Sequence, residues 1–375
     1  MTEEADRSMD TLTVGVEEEF FLVHPATGRT VPRAEQVRTA AGLRPALASA
    51  EVQSGLLQCQ LEVNTPVCRT LDEVGGHLLR LRHSLAEAAD ELDCRLAASG
   101  SAPFAPLGVP AVSASPRYRS MKADAAQLAA EQLICGMHVH VGVPDRATGV
   151  AVLNRLRPWI PVLVALGGNS PMWDGTDTDF ASWRTVVFGR WPVSGTPPPF
   201  EDADDYERRV GALVDHGIIR DRGQLYWHAR LSERFPTVEV RATDVQLRPE
   251  EAVMLAGLIR ALVATAMAGE RAGAPAPVPP TEFMAGAVWH AARYGLTNEL
   301  HDPLTGRQAK AGDVVAALLK YTLAALREAG DERQVTSLAH RLLREGQGAD
   351  RQRAALAAAG ATGLVRLITG AVPAS

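Results

Sequence analysis

Apolar and polar residues alternate with a period of two in five segments, 13–23, 56–64, 135–143, 225–232 and 237–246, and that period predicts strands. Sorting each by face gives one apolar and one polar side. Leu57, Cys59, Leu61 and Val63 oppose Gln58, Gln60, Glu62 and Asn64, and Met137, Val139, Val141 and Val143 oppose Gly136, His138, His140 and Gly142. Leu225, Trp227, Ala229 and Leu231 oppose Tyr226, His228, Arg230 and Ser232. Val238, Val240 and Ala242 oppose Thr237, Glu239, Arg241 and Thr243. In TVGVEEEFFLV, Glu17 and Glu19 share the polar face. Glu18 falls on the side of Val14, Val16 and Phe20, where a carboxylate needs a partner such as an arginine.

Helical periodicity fills the intervals. Thr70-Leu71-Asp72-Glu73 is a capping box, followed by Leu78, Leu81, Leu85, Leu92 and Leu96 at helical spacing. Pro249 with Glu250 and Glu251 opens a helix reaching about Gly269, and GAPAPVPP at 273–280 is a connector. Beyond it the pattern predicts only helices, near 282–294, 313–328, 333–345 and 349–359. Residues 1–11 read as a loose acidic tail and 12–370 as a single domain. The class is α+β, a mainly antiparallel sheet with helices behind its apolar face.

Composition narrows the function. A net charge of −6 argues against a general nucleic-acid binder. The four cysteines form no CxxC pair, the N-terminal stretch has no apolar core of a leader, and no uncharged apolar run approaches the roughly 18 residues of a spanning helix. These features predict reduced thiols and a cytoplasmic protein.

The chemistry lies on the polar faces, which carry Glu, His, Arg, Gln and Gly but no lysine. A solvated sheet face is the plainer explanation. Glu17, Glu19, Glu62 and Glu239 repel one another unless cations hold them, and His138, His140, Arg230, Arg241 and the more distant Arg184 suit an anionic substrate. Hard oxygen donors favour Mg²⁺ or Mn²⁺ and metal-assisted phosphoryl transfer; no GxxxxGK[ST] loop is present. Two other classes stay open: a zinc-dependent amide hydrolase using His138 and His140, and an inactive binding protein.

The ordered motifs GVEEEF, LEVNTPVC, MHVHVGV, NSPMWDGTDTDFASWR, TVEVRATD and ARYGL resemble those of type 2 glutamate–cysteine ligases, the YbdK-like carboxylate–amine ligases, over roughly 12–370. The resemblance implies a glutamine-synthetase-like fold with a curved sheet lining a funnel. It implies ATP, Mg²⁺ (or Mn²⁺), an acyl-phosphate intermediate, an amide product of the γ-glutamyl type, and a homodimer or larger assembly. Glu17, Glu19, Glu62 and Glu239 then become metal ligands. His138, His140, Arg230, Asn169 and Ser170 lie near ATP or substrate, Arg184 and Arg241 serve glutamate or phosphate charge, and His228 is a candidate base for the amine. Two positions depart from the pattern. Gly55 stands where relatives often carry an acid, and Trp227-His228-Ala229-Arg230 replaces W-D-x-R.

Overall fold

The computed structural model of the chain describes residues 12–44, 47–48 and 51–370, so the expected tail lies outside the described residues. Seven strands form one sheet: β1 (Val14–Val23), β2 (Val52–Ser54), β3 (Gln60–Asn64), β4 (Arg95–Ala97), β5 (Gly136–Gly142), β6 (Ala229–Leu231) and β7 (Thr237–Asp244). The order is β6-β7-β5-β1-β3-β2, with β4 beside the far end of β1, and every pairing is antiparallel. Short connections join β2 to β3 and β6 to β7, and the longer connections elsewhere carry the helices of the second layer.

The apolar face of this sheet packs on helices α1 (Leu71–Asp90), α2 (Arg146–Leu156), α3 (Ile160–Leu166) and α5 (Pro249–Arg271). Val14, Val16, Met137, Val139, Val141, Val238 and Val240 meet Leu78, Leu153, Leu163 and Leu258 there, all nearly or fully buried. Thr70 caps α1 with the reciprocal Glu73 bond expected of a capping box. The segments 146–166 and 249–271 are long and apolar enough to cross a membrane by composition alone. They are mostly buried, because they are the core helices behind the sheet.

The strand β1 changes character along its length. From Val14 to Glu19 its residues alternate between buried and half-buried; from Phe20 to Val23 all are buried. A second core closes over that half, formed by Leu81 and Leu85 of α1 with Leu364 and Ile368 of the last helix. The open half is therefore the part that faces a cavity. Glu18 points the other way and is fully buried, and its partner is Arg82 of α1. Arg82 donates from Nε to Glu18 Oε2 at 2.8 Å and from Nη2 to Oε1, and its other donors reach the carbonyls of Gln246 and Leu247. Phe20 lies 5.2 Å beneath the same guanidinium.

Several expectations change. The helix expected to run through Leu92 and Leu96 ends at Asp90, and Leu96 lies on β4. The 56–64 strand begins only at Gln60; before it Gln60 N–H bonds back to the Leu57 carbonyl in a turn, and Gln58 spends its amide on the Val112 carbonyl instead of facing the cavity. The 225–232 strand breaks at His228 into Tyr226–Trp227, which pairs in parallel with Ser194–Gly195, and β6. In β7 one extra residue sits between Val240 and Thr243, so Thr243 opposes Met137 and turns to the helix side. The C-terminal region is not wholly helical: Glu299–Asp302 and Arg307–Lys310 form a hairpin. Its turn is held by Asp302, which accepts from Leu304 N–H and Thr305 Oγ1, and by Gly306 at φ 69°. The last helix continues to Gly370 through a kink at Ala359 and Gly360.

Replacing Glu18 with Gln leaves a buried guanidinium without its counter-charge. We expect a loss of about 3–5 kcal/mol in chemical denaturation. The double replacement Glu18→Leu with Arg82→Met should cost less than that single change. A Glu18→Gln protein as stable as wild type contradicts the assignment.

Candidate active site

Three successive rungs of the sheet stack the polar residues on one face. Arg230, Glu239, His140 and Gly15 are cross-strand neighbours on β6, β7, β5 and β1. Two residues along, His138, Glu17 and Asn64 are neighbours, and Glu19 lies directly opposite Glu62. They line a cavity of about 800 Å³, within the usual range for ligand sites. The remaining walls come from the helix Pro116–Ala125, from α4 (Trp183–Phe188) and from the loop 222–236.

Each carboxylate has its own balance of charge. Glu17 Oε2 is 2.9 Å from His138 Nδ1 and Oε1 is 3.2 Å from His140 Nε2. Burial raises the Glu17 pKa, but the bonds and charge of the two imidazoles outweigh it and leave the carboxyl well below the usual range. His140 shifts upward in turn, because Glu17 and Glu239 overcome its burial. Glu239 accepts from Arg230 Nε at 2.8 Å and Nη2 at 3.1 Å, and Arg241 Nη1 lies 3.2 Å away. Against burial, these cations hold its carboxyl down at about 2. Glu19 accepts the Gly136 N–H at 2.6 Å. Glu62 is the exception: deep in the protein although its tip touches the cavity, and facing Glu17 and Glu19, it is pushed up to about 8 by burial first and then by their charge.

The arginines are placed by close backbone packing. Arg184 leaves α4 and lies against β5, where a Cβ on Gly136 would come within 2.2 Å of its Nη2 and would displace the guanidinium from this position. Its Nη atoms donate to the Arg241 carbonyl at 3.3 and 3.4 Å. Both guanidiniums stack on Phe188, at 5.1 and 5.4 Å. Arg184 Nε, Arg241 Nε and Asn64 Nδ2 are buried donors without a hydrogen-bond partner, and His138 Nε2 is likewise unpaired, an open polar set around the cavity.

Three expected site residues lie elsewhere. Asn169 and Ser170 are fully buried and do not line the cavity. Ser170 Oγ donates to Asp244 at 2.6 Å and accepts the Arg184 N–H at 3.0 Å, while Asn169 amide groups bond the Ala98 and Val245 carbonyls. Together with Ser182, which also donates to Asp244, they anchor the start of α4 and so aim Arg184. His228 is buried outside the cavity lining, because the strand break carries it inward. Burial, then the charges of Arg184 and Arg241, push it down to about 3, so it stays neutral. Gly55 does line the cavity, yet a Cβ there would sit 2.7 Å from Gln60 Cβ. Any side chain at that position therefore has to shift Gln60, whose amide is bonded to the Gln132 and Ile134 carbonyls.

The donor set separates two metal readings. Among the described residues no three His, Cys, Asp or Glu side chains converge as a metal site. Catalytic zinc takes three protein ligands, and here the two histidines are turned onto Glu17, so zinc does not fit. Mg²⁺ needs only one or two carboxylates when substrate phosphates and water complete its shell. Glu17, Glu19 and Glu62 suit it, since a cation beside them relieves the crowding that keeps Glu62 protonated. Glu239 does not, because both its oxygens are taken by Arg230 and Arg241.

Sequence reading missed Tyr118, Met121, Phe188, Trp191 and Phe235, all of which line the cavity. The signal for two pairs was local: Tyr118 and Met121, and Arg184 and Phe188, are three and four apart on helices and share a face.

Comparison with known proteins places the chain among relatives. A family model described as Glutamate-cysteine ligase family 2 matches residues 13–369. A protein of Nocardia farcinica, provisionally named glutamate–cysteine ligase 2-1, is 42% identical over 92% of this chain and 88% of its own. One of Mycolicibacterium vanbaalenii, provisionally named glutamate–cysteine ligase 2-2, is 43% identical over 92% and 93%. Among solved structures, the glutamate–cysteine ligase of Francisella tularensis in complex with AMP superposes with a TM-score of 0.72 at 14% identity, covering 96% of this chain and 88% of that one. A bifunctional glutathione synthetase of Pasteurella multocida gives 0.70 at 15%, covering 99% and 54%. The fold is that of glutamate–cysteine ligases, as the motifs implied.

The Glu62 environment has a consequence for stability. An unfolded glutamate titrates near 4.3, whereas the folded one is held at about 8. Between those values the folded protein keeps a proton that the unfolded chain releases, so Glu62 lowers stability as pH rises through that window, fully above 8. In metal-free protein, wild type should lose melting temperature from pH 5 to 8 relative to Glu62→Gln, which should be the more stable at pH 8. Parallel profiles contradict this.

Proposed function

The chain belongs to glutamate–cysteine ligase family 2, and from that membership we propose that it joins a carboxylic acid to an amine at the expense of ATP, through an acyl phosphate. The acid is glutamate, reacting at its side-chain carboxylate, and the products are a γ-glutamyl amide, ADP and phosphate. The observation that carries the reading is the single sheet face on which guanidiniums with unspent donors stand beside crowded carboxylates. The AMP complex of the Francisella enzyme supports nucleotide use in this fold. The same reading takes residues 12–370 as one catalytic unit, working in the cytoplasm as a homodimer or larger.

In this mechanism Arg184 and Arg241 hold the acid, while His138, His140 and Arg230 face the nucleotide phosphates. An acid oxygen attacks the γ-phosphorus; the new O–P bond forms as the bond to ADP breaks. The fixed guanidiniums meet the charge on the transferring group at no reorganisation cost. When bound, Mg²⁺ would be held by one or two of Glu17, Glu19 and Glu62 and would supply charge neutralisation for the phosphates. The apolar helices behind the sheet keep these charges in a low-dielectric setting, where each contact counts for more than in water.

Incubation with Mg²⁺, ATP, glutamate and a panel of amines should release ADP and yield a product of the summed mass less water. Arg241→Lys keeps the charge but loses the planar fork, and should lower kcat by about 100-fold. Absence of ADP and of any condensed product across a panel of acids supports a binding role instead.

A further inference from the structure

One end of the cavity is built for something other than phosphate. Met121 and Tyr118 project from the helix Pro116–Ala125 toward Phe188, Trp191 and Tyr226, and all five line the cavity. Met121, Phe188, Trp191 and Tyr226 belong to a small core of their own with Ile134. Trp191 and Tyr226 lie 4.8 Å apart, and Phe188 meets Tyr226 edge-on at 5.7 Å. Trp191 has spent its Nε1–H on Gln132 at 2.8 Å, so it adds only apolar ring surface to the wall. At the edge of this recess stand the Arg184–Arg241 pair on Phe188, their Nε atoms without partners, and the equally unpartnered Tyr226 hydroxyl.

We propose that this recess binds the side chain of an apolar or aromatic α-amino acid, which serves as the amine donor. Its side chain fills the recess, and its amino group then faces the glutamate that Arg184 and Arg241 hold at the recess edge, against Phe188. A largely aromatic wall directly beside the acid-binding guanidiniums fits an amine donor with a large apolar side chain. A methyl or a thiol leaves most of that wall uncovered. Each methylene that fills such a pocket is worth about 10-fold or more in discrimination. In the reaction the deprotonated amine forms the C–N bond at the acyl phosphate as the C–O bond to phosphate breaks. Phosphate leaves with the electron pair, and the proton released by the nitrogen passes to it.

The donor role rests on the ligase reading above, but binding does not, so calorimetry separates the two. Titration of wild type with alanine, cysteine, leucine, methionine and phenylalanine should show the last three binding at least 10-fold tighter than the first two. Met121→Trp fills the recess and should abolish that preference; Met121→Ala enlarges it and should improve tryptophan. In turnover with glutamate and ATP, the same order should appear in kcat/KM. Equal binding of alanine and phenylalanine overturns the proposal, and so does a Met121→Trp protein that keeps the preference. If Met121→Trp instead weakens ATP and leaves the amino acids unchanged, adenine fills the recess and the proposal fails. Preferential binding of phenylalanine without ADP release with any acid refutes the ligase reading and leaves the recess assignment standing.

Discussion

Repulsion between carboxylates is the constraint that organises this molecule. Glu19 and Glu62 face each other directly across β1 and β3, and Glu17 lies one step along the same face. Like charges so placed weaken a sheet, and a purely structural face would avoid them. The protein tolerates them by giving each its own partners: two imidazoles for Glu17, two guanidiniums for Glu239, a backbone N–H for Glu19. Glu62 receives none of these and keeps its proton. The local crowding at Glu62 leaves room for a cation beside it, and on the proposed reading the Mg²⁺ of a bound nucleotide would supply that cation while its phosphates would meet the unspent guanidinium donors.

The same bookkeeping explains the second layer. Arg184 reaches the cavity only because α4 begins at a fixed point, and Asp244 fixes it by accepting from Ser170, Ser182 and the Asn169 N–H. On the opposite face, Arg82 neutralises Glu18 and ties β1 to α1 and to the residues following β7. The acidic triplet thus divides its work. Its outer two carboxylates face the cavity, while the middle one clamps the sheet to its helices.

What was legible in the sequence follows from range. Period-two sorting found the polar face of β1, β3, β5 and β7, because a strand with a covered apolar side exposes that face by geometry alone. It also left Glu18 in need of an arginine, and Arg82 is that residue. It failed where one residue changes the phase. The bulge before Thr243 and the break at His228 each reversed a side chain, so His228 went from a proposed base to a buried neutral imidazole. The buried motif residues Asn169 and Ser170 looked like binding residues, since a motif shows that residues matter without showing whether they touch ligand or hold what does. The aromatic recess was invisible, because helix Pro116–Ala125 and α4 meet across it only in three dimensions.

The central claim is that the polar face, through Glu17, is where Mg²⁺-ATP is held. Thermal unfolding of wild type and Glu17→Gln, each with and without Mg²⁺-ATP, tests it most directly. At 100 times its dissociation constant the nucleotide should stabilise wild type by about 2.7 kcal/mol, seen as a rise of several degrees in Tm. Glu17→Gln, folded and near isosteric, should gain little or nothing. A Glu17→Gln protein that gains as much as wild type would contradict the account.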